Sequence, residues 1–263
     1  MRALHIGATG MLAQQTNVEV ISNNIANMNT TAYSRRRAEF HDLLYQDMRR
    51  VGANSSDSGT IVPSGIQLGL GVKTTSVYRV SEHGSVLNTD NTLDLAIQGN
   101  GYFQIELPND RGTGYTRDGA FQVSPDGLLV TSDGYTVQPG ITIPENVIGI
   151  TINSSGEVWV KEDGQTELTN VGQLELANFM NESGLEAIGD NLFMETAASG
   201  NPLTDVPGAL GFGTVLQGHL ENSNVNVVSE ITELVSAQRA YEMNSKVITT
   251  ADQMLSTINQ LKS

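Results

Sequence analysis

Asp90 and Asp94 stand four residues apart and are the acids best spaced to act together. Two carboxylates flanking a bond are what a glycosidase uses. Isolated acids on a surface are usually solvated, and that is the plainer reading here. Four Asp-Gly pairs (Asp118–Gly119, Asp126–Gly127, Asp133–Gly134 and Asp163–Gly164) could be a calcium-binding repeat. No nonapeptide period joins them, so they read as hairpin turns that need positive φ. His5, His41, His83 and His219 are far apart, without metal-ligand spacing, and there is no cysteine to serve as thiolate ligand, nucleophile or disulfide. Gly7-Ala-Thr-Gly10 and Gly69-Leu-Gly71 lack the rest of a nucleotide loop, and no Gly-x-Ser-x-Gly elbow occurs. Tyr102, Phe103, Tyr115, Phe121 and Tyr135 suit a core and cross-strand pairs better than a sugar platform. The residues therefore offer no catalytic, cofactor-binding or metal site, and the expectation is a protein that is not an enzyme and holds no cofactor.

The basic cluster is Arg35, Arg36 and Arg37 with Arg49 and Arg50. It is either a solvated junction after a first helix or an ionic contact to an acidic neighbour. An anionic lipid headgroup is a weaker third reading. Acidic partners are close at hand, because the net charge is −15 and residues 80–238 carry 22 acidic and 3 basic side chains. The first 79 residues, with 8 basic and 5 acidic side chains, are nearly neutral, as are the last 25. An acidic middle disfavours nucleic acid. Charged residues make up 16% of the 263, against about 25% in an ordinary globular chain. No run of apolar residues is long enough to cross a bilayer. No basic-then-apolar leader opens the chain, so no cleaved signal peptide is expected.

The elements that must position these residues fall into three textures. Residues 1–28 read as a helix with a heptad seam: Leu4, Met11, Val18 and Ile25 recur every seven, with Ile21 and Met28 in the second seam position. Gly7 and Gly10 each cost about 1 kcal/mol of helix stability but admit a close neighbour. From Asn224 to Gln260 there is neither Gly nor Pro; Leu234, Tyr241, Ile248 and Leu255 form one seam, Ala237, Ala251 and Ile258 the other, and Asn244 interrupts it. Such a helix is far longer than the usual ~11 residues and wants a partner, the first helix being the obvious one. Between the helices, short period-two strands and tight turns run from Val72 to Leu220. Residues 47–71, rich in Gly, Ser and Asn, read as a linker or a segment that orders only against a neighbour.

The expected fold is a discontinuous α+β arrangement. The axial helix 1–34 pairs as a coiled coil with 224–263, an extended linker occupies 35–71, and a mainly β body occupies 72–223.

Three segments carry a family resemblance. Ser22-Asn-Asn-Ile-Ala-Asn-Met-Asn-Thr-Thr-Ala-Tyr33 resembles the N-terminal signature of the bacterial flagellar rod and hook axial proteins. The stretch from Glu233 to Leu255, with Ser-Ala-Gln-Arg-Ala-Tyr241-Glu-Met-Asn-Ser at its centre, is similar to their C-terminal signature. Leu93-Asp-Leu-Ala-Ile-Gln-Gly-Asn-Gly-Tyr-Phe103, followed by Tyr115-Thr-Arg-Asp-Gly-Ala-Phe121, resembles their shared body. The chain length, the stretch from Leu44 to Arg50 and Pro63-Ser-Gly-Ile-Gln-Leu-Gly-Leu-Gly-Val72 resemble the distal-rod branch, since hook members carry an additional outer domain. Tyr33-Ser34 departs from a Gly-aromatic pair in many relatives but retains the aromatic.

The resemblance implies a structural subunit that self-assembles into a rigid helical tube, a drive shaft carrying torque from motor to hook. Its partners would be further copies of itself, proximal rod proteins, the hook protein, the surrounding ring proteins and the type III export apparatus. It would sit in the basal body, spanning periplasm to outer membrane, exported without a cleaved leader. The terminal helices would line the tube and the linker would brace neighbours. Asn27 or Asn29 would close the first helix in a left-handed conformation. Asn23 and Asn24, with Gln238 and Asn244 opposite, would hydrogen-bond across helices and fix register. Arg239 would pair with Glu242 or a neighbour's acid. Tyr33, Arg49, Arg50 and Pro63 would complete the assembly interface. The competing reading is a secreted β-rich binding or hydrolytic domain carrying an oligomerisation coil.

Overall fold

The structure, a computed structural model, describes residues 2–49, 64–108, 112–164 and 167–262. The chain forms two units, each assembled from separate stretches. One comprises Met1–Ala26, Arg36–Arg79 and Asn226–Ser263; the other comprises Asn27–Arg35 and Val80–Val225. The boundary near residue 80 follows from strand pairing. The strand Val72–Arg79 runs antiparallel to Arg36–Asp42, so it joins the helical unit rather than the β-rich one.

In the helical unit, α1 spans Arg2–Ala26 and α2 spans Val227–Lys262. The 36 residues of α2 give a rod of roughly 54 Å. Asn226 caps it: its Oδ1 accepts the Ser229 N–H at 3.2 Å and its carbonyl accepts the Glu230 N–H at 3.0 Å. The helices pack antiparallel, with Gly7 against Ile248 and Gly10 against Asn244. Two strand pairs complete the unit. Arg36–Asp42 with Val72–Arg79 carries a bulge between Glu39 and Phe40, and Tyr45–Arg49 pairs antiparallel with Ile66–Gly69. The Thr9 hydroxyl on α1 accepts the Val72 N–H at 3.4 Å. Strands thus occupy part of the stretch read as a linker; residues 50–63 lie outside the described residues.

The β-rich unit is built on a six-stranded antiparallel sheet. Its order is Glu186–Gly189, Leu192–Met194, Thr113–Thr116, Tyr102–Glu106, Leu176–Asn178 and Leu203–Asp205. A second sheet, Val147–Ile152, Glu157–Glu162 and Thr169–Gln173, supplies Val158 and Val160 to a core that also holds Leu95, Ile97, Phe103 and Phe121. Phe103 and Phe121 meet edge to face at 5.0 Å. Tyr115 meets Phe179 in the same way at 4.8 Å. The aromatic cluster is core, as its spacing indicates.

Three of the four Asp-Gly pairs make the expected turns, with φ of +81° at Gly127, +86° at Gly134 and +84° at Gly164. Gly119 differs. Its φ is ordinary, and the position is glycine because a Cβ there would strike the Leu95 carbonyl. Asp90, at φ +57°, accepts from the Asn88 amide at 2.9 Å, and buried Asp94, in a β-bridge with Ala120, accepts from the Asn91 amide at 2.9 Å.

The centre of this unit is a buried ion pair. Arg117 and Glu221 are 5% and 6% exposed, with Nε to Oε2 at 2.8 Å. The remaining guanidinium donors reach the carbonyls of Gly101 (3.0 Å), Ile97 (3.2 Å) and Gly99 (3.1 Å). Glu221 also accepts the Gly84 N–H at 3.0 Å. Burying charge costs several kcal/mol per ion, and it is offset here by partners for both carboxylate oxygens and for four of the five guanidinium N–H groups. Glu221 also holds the chain entering this unit, its carbonyl accepting the Ala32 N–H at 2.8 Å.

Two outcomes are expected. Arg117→Ala strands the Glu221 carboxylate and should lower the stability of this unit by about 3–5 kcal/mol. Arg117→Lys, with one nitrogen for four acceptors, should fall between variant and parent in denaturant unfolding. Tyr115 provides a pH test: burial and then the Glu195 carboxylate raise its hydroxyl to about 12. The unfolded chain releases that proton near pH 10 and the folded chain does not, so this contribution is intact below pH 10 and is lost as pH rises toward 12. In Tyr115→Phe the alkaline decline in melting temperature should be shallower over that window.

Candidate functional site

The candidate site is the surface of the helical unit. Among the described residues no group of three His, Asp or Glu could hold a metal ion. The seam is built from small residues. Gly7, Ala13, Ile21 and Asn24 are buried on α1, and Glu230, Ala237 and Ala251 on α2. A Cβ at Gly7 would lie 2.9 Å from Ile248 Cγ1, and one at Gly10 would lie 2.8 Å from Asn244 Nδ2. The helices approach this closely because those glycines have no side chain.

One asparagine fixes the register. Asn24 donates from Nδ2 to the Arg36 carbonyl (2.8 Å) and to Glu230 Oε2 (3.0 Å), while its Oδ1 accepts the Arg36 N–H (2.9 Å). It is 1% exposed. One side chain thereby ties the end of α1, the start of the first strand and the first turn of α2. Glu230 was not singled out by the heptad reading. It lies four residues before Leu234 and seven before Ala237, so it extends the same stripe by one step with a carboxylate.

The other expected interface residues divide as follows. Leu4, Met11, Val18 and Ile25 on α1 are half-buried along the seam, as are Leu234, Asn244, Ile248 and Leu255 on α2. Tyr241 is 43% exposed, and Ile258, at 59%, lies outside the seam. Gln238, Arg239 and Asn23 are exposed. The cross-helix hydrogen bond expected of the asparagines is made by Asn24; among the described residues, Gln238 and Asn244 make none to α1. Asn27 accepts from the Thr30 hydroxyl at 3.1 Å, and Asn29 is exposed. Neither is left-handed. Ala32 takes that conformation, φ +55°, because its N–H is drawn to Glu221 and a buried site leaves room only for a small side chain. Tyr33 belongs to the β-rich unit, where its carbonyl accepts the Asn224 N–H at 3.3 Å. Arg49 closes the strand Tyr45–Arg49 with its backbone; its side chain, Arg50 and Pro63 lie outside the described residues.

Two apolar surfaces went unnoticed in the sequence. On the face of α2 turned away from α1, Val228, Val235, Met243, Val247 and Met254 are 76, 42, 64, 48 and 56% exposed. The signal was present as a second seven-residue spacing, Val228 to Val235 and Val247 to Met254, offset from the first. The ribbon of Tyr45–Arg49 and Ile66–Gly69 also exposes Leu44, Tyr45, Met48, Ile66 and Leu68, all above 40%. A two-stranded ribbon with bare apolar side chains is marginal alone.

The two seam glycines should respond differently to alanine. At Gly10 the neighbour is the far end of a flexible amide that can rotate, so Gly10→Ala should be neutral or gain up to about 1 kcal/mol of helix propensity. At Gly7 the neighbour is the Cγ1 of a β-branched, stiff side chain. Gly7→Ala should loosen the pair by about 1–3 kcal/mol from overpacking, less that propensity gain. Amide-exchange protection along α1 measures both.

Comparison with known proteins agrees with this geometry. Residues 4–33 match the family model for flagella basal body rod proteins. Residues 96–160 match the D1 domain of flagellar hook proteins FlgE/F/G, and residues 216–261 match the C-terminal region of flagellar basal body rod FlgEFG proteins. The chain is 62% identical to the flagellar basal-body rod protein FlgG of Caulobacter vibrioides, with both chains covered in full. It is 54% identical to that of Agrobacterium fabrum over 99% of each chain. It is 38% identical to that of Bacillus subtilis over 100% of this chain and 99% of the other. The chain belongs to the flagellar basal-body rod protein family.

Proposed function

We propose that this rod-family chain is a subunit of the distal rod, a non-catalytic part that polymerises into a rigid helical tube and transmits torque from motor to hook. The observation that carries the reading is the apolar stripe of α2 on the face opposite α1. A helix that buries one stripe against its partner and keeps a second in water is a subunit lacking a neighbour. In the tube, α1 and α2 act as a coiled coil with Leu4, Met11, Val18 and Ile25 facing Leu234, Ile248 and Leu255. The ribbon within 35–71 braces adjacent copies, and its exposed Leu44, Tyr45 and Met48 support that role. Proximal rod, hook and ring proteins would bound the tube at its ends and flank. Its place would be the periplasm-to-outer-membrane span of the basal body, reached through the type III export apparatus without a cleaved leader.

The test uses the exposed stripe. Val247→Asp places a charge on a surface that is wet in one copy, so circular dichroism and the melting temperature should match the parent. In the assembled wall the same charge would be buried, and cells carrying the variant should lose rods and motility. Normal rods and full motility would refute the reading.

A further inference from the structure

The sheet Val147–Ile152, Glu157–Glu162 and Thr169–Gln173 carries the chain's one tryptophan on its outer face. Val158 and Val160 turn inward to the core, so Trp159 between them turns outward, where it is half-buried. Its cross-strand partners are Thr151 on one side and Asn170 on the other, both exposed. The ring is held in place. Trp159 Nε1 donates to Glu157 Oε2 at 3.2 Å, and Asn153 Nδ2 donates to the same oxygen at 2.7 Å. Asn153 is fixed in turn, since its Oδ1 accepts the Glu157 N–H at 2.9 Å. The indole is thus tied back toward a residue two positions along its own strand. Beside it, Gly149 pairs with Lys161 and leaves the face open: a Cβ there would meet nothing within 4 Å.

We infer that this face binds a neutral glycan, a chain of pyranose rings stacked on Trp159. Chemistry selects the class of ligand. A protein partner gains from a contiguous apolar centre, and here the ring is bordered by Thr151, Asn170, Glu157 and Lys161. A polyanion meets repulsion, because residues 80–225 carry 17 more acidic than basic side chains. A cation finds Glu157 Oε2 already accepting two donors and the Lys161 ammonium close by. A pyranose suits what remains. Its flat face of C–H groups meets the negative face of the indole. Its hydroxyls both donate and accept, and the border offers both roles: Asn170 Nδ2 and Lys161 Nζ donate, Glu157 Oε1 accepts, and the Thr151 hydroxyl does either. Among the described residues none of these atoms has another partner. A ring already held by Glu157 and Asn153 loses little freedom on binding.

The shape of the face selects a chain over a single sugar. It is a sheet surface without walls, and Glu157 to Lys161 spans about 13 Å along the strand. One sugar covers the ring alone, whereas a chain also reaches the polar groups on either side.

Because the chain has one tryptophan, its fluorescence reports this face alone. Dilute full-length protein is titrated with the β-1,4-linked tetramers of glucose and of N-acetylglucosamine, and with each monomer. A saturable change in emission is expected with at least one tetramer, at a concentration about tenfold or more below that of its monomer, from the bonds on either side of the ring. Asn170→Ala keeps the fluorophore and should weaken binding about fivefold, the worth of one hydrogen bond. Trp159→Ala should abolish the heat of binding in calorimetry. Circular dichroism establishes that both variants fold. No response to either tetramer, or binding that survives both substitutions, would overturn the inference. So would emission that shifts with protein concentration but not with saccharide, which would assign the face to a contact between copies. The rod reading is carried by the helices and stands apart from these outcomes.

Discussion

Asn24 is the residue on which the helical unit depends. Its carboxamide has one acceptor and two donors, and each is engaged on a different demand: the Arg36 N–H, the Arg36 carbonyl and the Glu230 carboxylate. An apolar residue there would leave a buried carboxylate and two backbone groups without those bonds, each lost bond to a buried group costing about 1–3 kcal/mol. An apolar seam of small residues tolerates sliding, because Ala and Gly fit almost anywhere along a helix. A single polar contact at one level does not. The asparagine thus turns a loosely specified pair of helices into one with a fixed axial setting, as a buried polar residue does in coiled coils.

The β-rich unit uses the same device with charge. Arg117 collects Glu221 and three carbonyls of one turn region, and Glu221 in turn takes the Gly84 N–H. In both units a polar group with several fixed donors organises backbone that no regular strand or helix satisfies. Residues 99–101 are such backbone: they lie between two strands, where the ladder stops. The hydrophobic core of Phe103, Phe121 and their neighbours supplies the stabilisation, and the buried ion pair determines which loop conformation accompanies it.

The sequence made the two helices and most long strands readable because their apolar spacing is regular. Arg36–Asp42 was hidden: in Arg-Arg-Ala-Glu-Phe-His-Asp only Ala38 and Phe40 mark the inward face, and four charges obscure the period. Glu186–Gly189 and Leu192–Met194 were hidden by shortness, yet the turn between them, Asp190-Asn191 with φ of +50° and +58°, is the primed type that such pairs favour. The seam positions of the candidate surface were legible, since Leu234, Ile248 and Leu255 sit at heptad spacing. Which asparagine carries the register was not, because Asn23, Asn24, Asn27 and Asn29 are chemically alike and only the position of Arg36 and Glu230 distinguishes them. The left-handed residue was missed for a related reason: a tertiary hydrogen bond to Glu221 places Ala32 there against its own local preference.

Exposed apolar faces create a problem that the charge distribution addresses. A chain that leaves Val228, Met243 and Met254 in water invites association wherever it is concentrated. A pair of neutral helices has little to oppose that. Residues 80–225, with 17 more acidic than basic side chains, give every copy a like-charged body and raise the repulsion between copies in random approach. That repulsion acts over about a Debye length, roughly 8–10 Å in physiological salt, whereas helix packing acts at contact. The two ranges are separable. Charge slows indiscriminate encounters, and only an approach that aligns apolar stripes at contact gains enough to overcome it. A neutral helical unit joined to a strongly acidic one is therefore a division of labour that keeps an assembly-competent subunit soluble until its neighbours present the matching surface.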